Sequence, residues 1–303
     1  MENSNNSGKF ALITGASSGI GYELAKLFAR DNYNLVLVAR NEENLKQAAT
    51  DMKQVSNIEV HTISADLFQH GAAKEVYNKV KGLGITIDVL VNDAGQGEWG
   101  RFHKTNLDRE IDLVHLNIMS LMSFTKFYLQ EMVERNSGKI LQLASSLAKA
   151  PSPYFAVYAA TKAFVLSFSE ALVKELEETD VTVTALLPGA TDTDFFHKAK
   201  AENTVTYKET SLYDPAEVAK AGYDGLMNGD ATVVPGAMNK MDGMLGAILP
   251  DSAVASKMEK QLVSSMDENG RAGITHEASA RVRAKMNSET GGVNGDVSTA
   301  MPK

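Results

Sequence analysis

Seven short apolar runs recur along the first 236 residues, each separated from the next by a longer stretch of helical period. They read "KFALIT", "NLVLVAR", "IEVHTIS", "IDVLVN", "GKILQLAS", "VTVTALLPG" and "ATVVPG". Most are near-continuous Val, Ile and Leu rather than an in/out alternation, the pattern of strands covered on both faces. Between them lie "GYELAKLFARD", "NLKQAATDMKQ", "AAKEVYNKVKG" and two longer helical stretches, residues 106 to 135 and 155 to 179. Strand, helix, strand, repeated with right-handed crossovers, gives an α/β fold: a doubly wound, mostly parallel seven-stranded sheet with helices on both faces.

Residues 9 to 236 carry this alternation and are read as one domain, preceded by a flexible polar stretch, residues 1 to 8. Beyond Gly236 the pattern changes. Met241, Met244, Leu245, Ile248 and Leu249 form one apolar stripe that Pro250 stops, and a second short pattern runs through Val254, Met258 and Leu262. Residues 237 to 266 are therefore expected to be a helical extension. Residues 267 to 303, rich in Gly, Ser, Asn, Thr and charge, are expected to be a disordered tail. The stripe could cover a pocket, form a subunit contact or touch a membrane surface, with packing on its own domain as the default.

With 30 basic against 38 acidic residues and no basic run, the chain is not built for nucleic acid. It has no cysteine, so disulfides, thiolate metal sites and a thiol nucleophile are all excluded. His61, His70, His103, His115, His197 and His276 show no metal-ligand spacing, and no metal is assigned. The polar start lacks a signal-peptide core and no run approaches the ~18 consecutive apolar residues of a spanning helix, which points to the cytoplasm and against stable membrane insertion.

The first strand ends in "TGASSGIG", and a helix follows at once. Glycines 15, 19 and 21 sit where backbone must approach a diphosphate closely and where the free N–H groups of a helix start can receive it. A tight turn alone would also use glycine. The spacing is G-x-x-x-G-x-G rather than G-x-G-x-x-G. Far downstream, Tyr158 and Lys162 stand four apart on a predicted helix, one face, with only Ala-Ala-Thr between. A free phenol titrates near ~10, and a neighbouring cation stabilises the phenolate. Lys162 is thus expected to lower the Tyr158 pKa and make it a general acid or base.

Taken together, "TGASSGIG", the "NDAG" after the fourth strand, Asn117, Ser145, "YAATK" and "PGATDT" resemble the short-chain dehydrogenase/reductases in their compact, single-domain Rossmann form, over roughly residues 9 to 236. That resemblance implies a nicotinamide cofactor. It implies that Gly15, Ser17, Ser18, Gly19, Ile20 and Gly21 form the diphosphate turn, and that Asp66 and Leu67 lie at the adenine. Asn92, Ala94 and Gly95 would line the cofactor, and Pro188, Gly189, Thr191 and Thr193 would meet its nicotinamide end, with Thr193 on the carboxamide. Lys162 would also hold the ribose, Ser145 the substrate oxygen, and Asn117 a water relaying protons to Lys162; alternatively Asn117 is a helix-interior polar residue satisfied by a backbone carbonyl. Ser146 is the adjacent rival to Ser145. The family commonly has Asn where this chain has Asp93, and a carboxylate facing the phosphates would weaken binding.

The second strand ends in Ala39 and Arg40 with no carboxylate, so a guanidinium is available for a 2′-phosphate and NADP(H) is expected over NAD(H). The alternative is that Arg40 pairs with Glu42 or Glu43. Tyr154, Phe155, Phe195 and Phe196, with Trp99, suggest an apolar substrate pocket, although loop aromatics also serve as core anchors. The expected function is NADP-dependent hydride transfer between nicotinamide and a carbonyl or secondary alcohol, in the direction of reducing a fairly hydrophobic ketone or aldehyde. The alternatives are a dinucleotide-binding regulator or scaffold without turnover, and an NAD-preferring alcohol dehydrogenase. By resemblance the two long helices would pair across a two-fold axis in a homodimer or homotetramer.

Overall fold

The computed structural model describes residues 6–236 and 251–264. The apolar stripe from Met241 to Leu249 and the tail from 267 onward lie outside the described residues. Of the first eight residues, 6 to 8 are described, and Asn6 is buried with its side-chain amide donating to the Asp31 carbonyl at 3.2 Å.

Seven strands form one sheet in the order β3-β2-β1-β4-β5-β6-β7. They are β1 Phe10–Thr14, β2 Asn34–Ala39, β3 Val60–Ser64, β4 Val89–Asn92, β5 Gly138–Leu143, β6 Val181–Leu186 and β7 Thr232–Val233. Every pairing is parallel, and each expected strand is present. Successive residues of a strand face opposite layers, so in β1 Ala11 and Ile13 join one apolar core while Leu12 joins the other.

The first core packs α1 (Gly19–Arg30), α2 (Glu42–Val55) and α9 (Pro215–Asn228) on one face of the sheet. The second packs α3 (Ala72–Gly82), α5 (Leu121–Glu134) and α6 (Ala156–Glu175) on the other. By length and hydropathy α6 would qualify to cross a membrane. Here its apolar character serves the core: Val165, Leu166 and Leu172 are buried against the sheet layer.

The helix expected over 106 to 135 is not uniform. It runs as α4 (Leu107–Val114), a π-helical turn (His115–Ser120) and α5. Such a widened turn inserts one extra residue and is common at functional sites; this one contains Asn117. The helix expected to 179 ends at Glu175, and a short turn closes on Thr179, whose N–H donates to the Leu176 carbonyl at 2.8 Å. Two short helices, α7 (Phe195–Lys198) and α8 (Val205–Glu209), precede α9, and α10 (Asp251–Leu262) follows β7 across the segment that is not described.

Candidate active site

The C-terminal ends of β1 and β4 lie side by side, Thr14 level with Asn92. The strand order reverses here, since the chain moves outward from β1 to β3 and returns to β4. A crevice opens at such a switch point. Buried Thr14 forms its floor: its hydroxyl accepts from the N–H groups of Asp93 and Ala94, each at 3.1 Å, and donates to the Val91 carbonyl at 3.3 Å. Sequence reading had passed over Thr14, although its place between strand and glycine turn was a signal.

A cleft of about 1290 Å³ extends from this crevice. Gly15 and Gly19 have φ of +73° and +59°, a region costly for residues with a Cβ. A Cβ on Gly15 would stand 2.8 Å from an Asp93 carboxylate oxygen, and one on Gly19 would stand 3.1 Å from the Thr193 methyl. Ser17, Ser18, Gly19 and Ile20 line the cleft at the start of α1. Ser18, the residue before the helix, makes no side-chain bond to the helix N–H groups, which leaves a polar cradle suited to phosphate. Gly21 lies beneath rather than along the cleft, where a Cβ would meet the Gly15 carbonyl oxygen at 2.7 Å.

Arg40 also lines the cleft, its guanidinium 5.0 Å from the Phe68 ring centroid. Among the described residues it forms no ion pair with Glu42 or Glu43, and Glu42 is instead held by Lys46 at 2.6 Å. Leu67 and Phe68 lie along the wall. Two expected cofactor residues turn elsewhere. Asp66 accepts the Phe68 N–H at 3.3 Å, and the Asn92 amide donates to Thr125 and Gln142 at 3.1 and 3.0 Å inside the second layer. Ala94 and Gly95 line the cleft through backbone, and Pro188, Gly189, Thr191 and Thr193 close its far side.

The side chain of Asp93 bends under the glycine turn and accepts the Gly21 N–H, with its other oxygen buried and unpartnered. Burial pushes its carboxyl up to about 7, against the pull of Lys162, that N–H and Lys198. This departure from the family's Asn thus places a proton-holding group behind the phosphate cradle.

Ser145, Tyr158 and Lys162 share one wall of the same cleft, and all three are buried. β5 ends at Leu143, the chain enters a 3₁₀ turn over Ser146–Lys149, and the Ser145 hydroxyl accepts the Leu147 N–H at 3.2 Å. Because the strand has ended, Ser146 does not simply point the opposite way, and it too lines the cleft. Ser145 is the one close enough to the Tyr158 phenol to pull its pKa down against burial. The Lys162 ammonium lies 5.8 Å from the Tyr158 ring centroid and donates to the Leu143 carbonyl at 2.6 Å.

The expected lowering of the phenol pKa is not found. Burial pushes Tyr158 up to about 12, opposed only by Ser145, while burial pulls Lys162 down to about 8, with Asp93 opposing. Desolvation sets the direction for the phenol, and Lys162 does not figure among the influences on it.

Asn117 does not reach the cleft. Its amide donates to the Gln96 carbonyl at 2.9 Å and to the Thr161 hydroxyl at 3.0 Å, and its oxygen accepts the Gln96 N–H at 3.1 Å. It therefore binds the loop after β4 to α6 at the residue beside Lys162.

Phe155, Phe195 and Phe196 face the phenol side of the cleft, with Phe195 5.0 Å from the Tyr158 ring. Tyr154 does not line it. It adopts φ +67° and stacks on Trp99 at 5.8 Å, bracing the wall from behind. The last wall comes from α10, which sequence reading had not connected with the site: Val254, Met258, Gln261 and Leu262 line the cleft. Among the described residues no cluster of His, Asp or Glu could hold a metal.

Residues 9–204 match the family model of the short chain dehydrogenases. The very-long-chain 3-oxoacyl-CoA reductase of Rattus norvegicus is 35% identical over 187 residues, which is 60% of this chain and 59% of that protein, so the chain spans well under two thirds of that relative's length. Among solved structures, a short-chain dehydrogenase from Sphingobium yanoikuyae in complex with NADPH superposes with a TM-score of 0.71 at 30% identity, covering 79% of this chain and 93% of that one. A bulky-bulky ketone specific alcohol dehydrogenase from Comamonas testosteroni gives a TM-score of 0.67 at 30% identity, with the same coverages.

Proposed function

This chain belongs to the short-chain dehydrogenase family, and we propose that it is an NADP(H)-dependent reductase of apolar ketones or aldehydes. The observation that carries this reading is the meeting of Ser145, Tyr158 and Lys162 with the glycine turn on one cleft. The residues fit the cofactor: Gly15 and Gly19 leave room where any Cβ would clash, and the start of α1 offers N–H groups to a diphosphate. Arg40 is available for a 2′-phosphate, and the solved relative that binds NADPH supports the choice. When bound, NADPH supplies the hydride.

The chain's own part is to hold the carbonyl oxygen and protonate it. Ser145 and Tyr158 line the same cleft, and a carbonyl oxygen held between their hydroxyls would accept from both. The phenol, neutral at neutral pH because burial pushes it up to about 12, carries the proton that a carbonyl oxygen needs on reduction. Lys162, with ordinary basicity pulled down to about 8, can return a proton to the phenol side without leaving its backbone anchor. Phe155 and Phe195 exclude water from this end and select an apolar substituent.

The test is a carbonyl panel read by loss of NADPH absorbance. Tyr158→Phe is expected to reduce turnover by ~10²-fold or more while NADPH still binds. Undiminished turnover in that variant rejects the mechanism, and NADPH binding with no substrate reduced would favour a dinucleotide-binding regulator.

A further inference from the structure

The helix α10 lies beyond the stretch that matches the family model, yet one face of it runs along the cleft. Val254, Met258, Gln261 and Leu262 stand at i, i+4, i+7 and i+8, a single helical stripe. Met258 and Leu262 pack in the same apolar cluster as Phe155, Tyr158 and Phe196. Its C-terminal end is fastened from two directions. The Trp99 indole N–H donates to the Leu262 carbonyl at 2.7 Å. From the segment around α8, the Thr206 hydroxyl donates to the Gln261 carbonyl at 2.8 Å and the Val205 N–H to the Val263 carbonyl at 3.2 Å. Thr204 and Ser264 add an antiparallel bridge. These ties fix the stripe at a set distance from the phenol.

The Ser145 and Tyr158 hydroxyls lie at this end of the cleft, and Tyr158, Met258 and Leu262 belong to one apolar cluster there. A carbonyl oxygen held at those hydroxyls therefore directs one of its carbon substituents towards Met258.

We propose that α10 is the specificity element of this enzyme, with Met258 setting how large an apolar group beside the carbonyl is accepted. Met258 is the adjustable member. It is only partly buried where Leu262 is fully so, and its unbranched thioether can yield to a guest. The substrate class is a ketone with an apolar ring or chain on that side. This rests on the carbonyl-reductase reading, and the experiment keeps the two separable.

The full chain is assayed with a small methyl ketone and a bulky aryl ketone as wild type, Met258→Ala, Met258→Trp and Met258→Leu. A few methylenes in an apolar pocket change kcat/KM by roughly 10-fold or more. Met258→Trp is expected to lower the bulky-to-small ratio of kcat/KM by about that factor, and Met258→Ala to raise it, while Met258→Leu keeps the wild-type ratio. Affinity for the same ketones is read in parallel by isothermal titration calorimetry, which does not depend on the residue at 258. Size-dependent binding that shifts with residue 258 upholds the inference even if no ketone is turned over, an outcome that would sink only the reductase reading. A ratio that stays put in both Met258→Ala and Met258→Trp, in turnover and in binding alike, overturns it.

Discussion

The two ends of the cleft are built by different means. At the glycine turn the innermost wall is backbone, made of strand ends, a helix start and positive-φ glycines, with the Arg40 and Phe68 side chains beyond it. At the phenol end the walls are side chains from five separate pieces of chain, namely the 3₁₀ turn, α6, α7, the loop after β4 and α10. A backbone-built site recognises a constant group such as a diphosphate. One assembled from apolar side chains can be retuned residue by residue. The glycine turn should therefore respond to substitutions in an all-or-none way, and the parts of the cleft built from side chains by degrees.

The largest effect is expected from Gly15→Val. A branched side chain at φ +73° that also meets Asp93 and the backbone of Ala94 removes NADPH binding altogether, as read by fluorescence titration. Retained affinity would break the comparison at its strong end. Next comes Arg40→Asp. Exchange of a charge-assisted contact for a repulsion, worth ~1.5–3 kcal/mol, should swing the NADPH-over-NADH preference by roughly 10–100-fold, read from kcat/KM with each cofactor.

Asp93→Asn sharpens the picture through pH. A carboxyl raised from 3.8 to about 7 makes the native state hold a proton that the unfolded chain releases. Its contribution to stability is full below about 4 and is lost as pH rises through about 7. The Asn variant lacks that loss, so its melting temperature should gain on wild type across the interval, and equal pH profiles would show that Asp93 is not the buried proton holder. The smallest effect belongs to Trp99→Phe. Loss of the bond to Leu262 costs about 1 kcal/mol in thermal unfolding, and it should raise KM for ketone but not for NADPH. An equal rise in both would mean that the two ends are not independent.

The same division decides what could be read from the sequence. The strands were legible because burial on both faces leaves continuous Val, Ile and Leu, and the turn because glycine has few substitutes at positive φ. The Tyr158–Lys162 pair was legible from its helical spacing, but its grouping with Ser145 only through family resemblance, since nothing in the spacing between Ser145 and Tyr158 dictates contact. Unreadable was whatever depends on long-range hydrogen-bond accounting: Asn92 and Asp66 spending their side chains away from the cleft, Tyr154 serving as a brace, and α10 returning to the site. Tyr158 shows a further limit. Sequence displays a charge one turn away but not the desolvation that sets the direction for the phenol.

The π-turn at His115–Ser120 makes the rod from Leu107 to Glu134 two helices wound out of phase. Each residue advances a helix by roughly 100°, so excising a single position such as Met119 would swing Phe124, Tyr128 and Met132 from the sheet towards water. The extra residue lets one rod serve two customers: upstream of it Asn117 keeps its grip on the loop after β4, while downstream the aromatic row still meets the sheet.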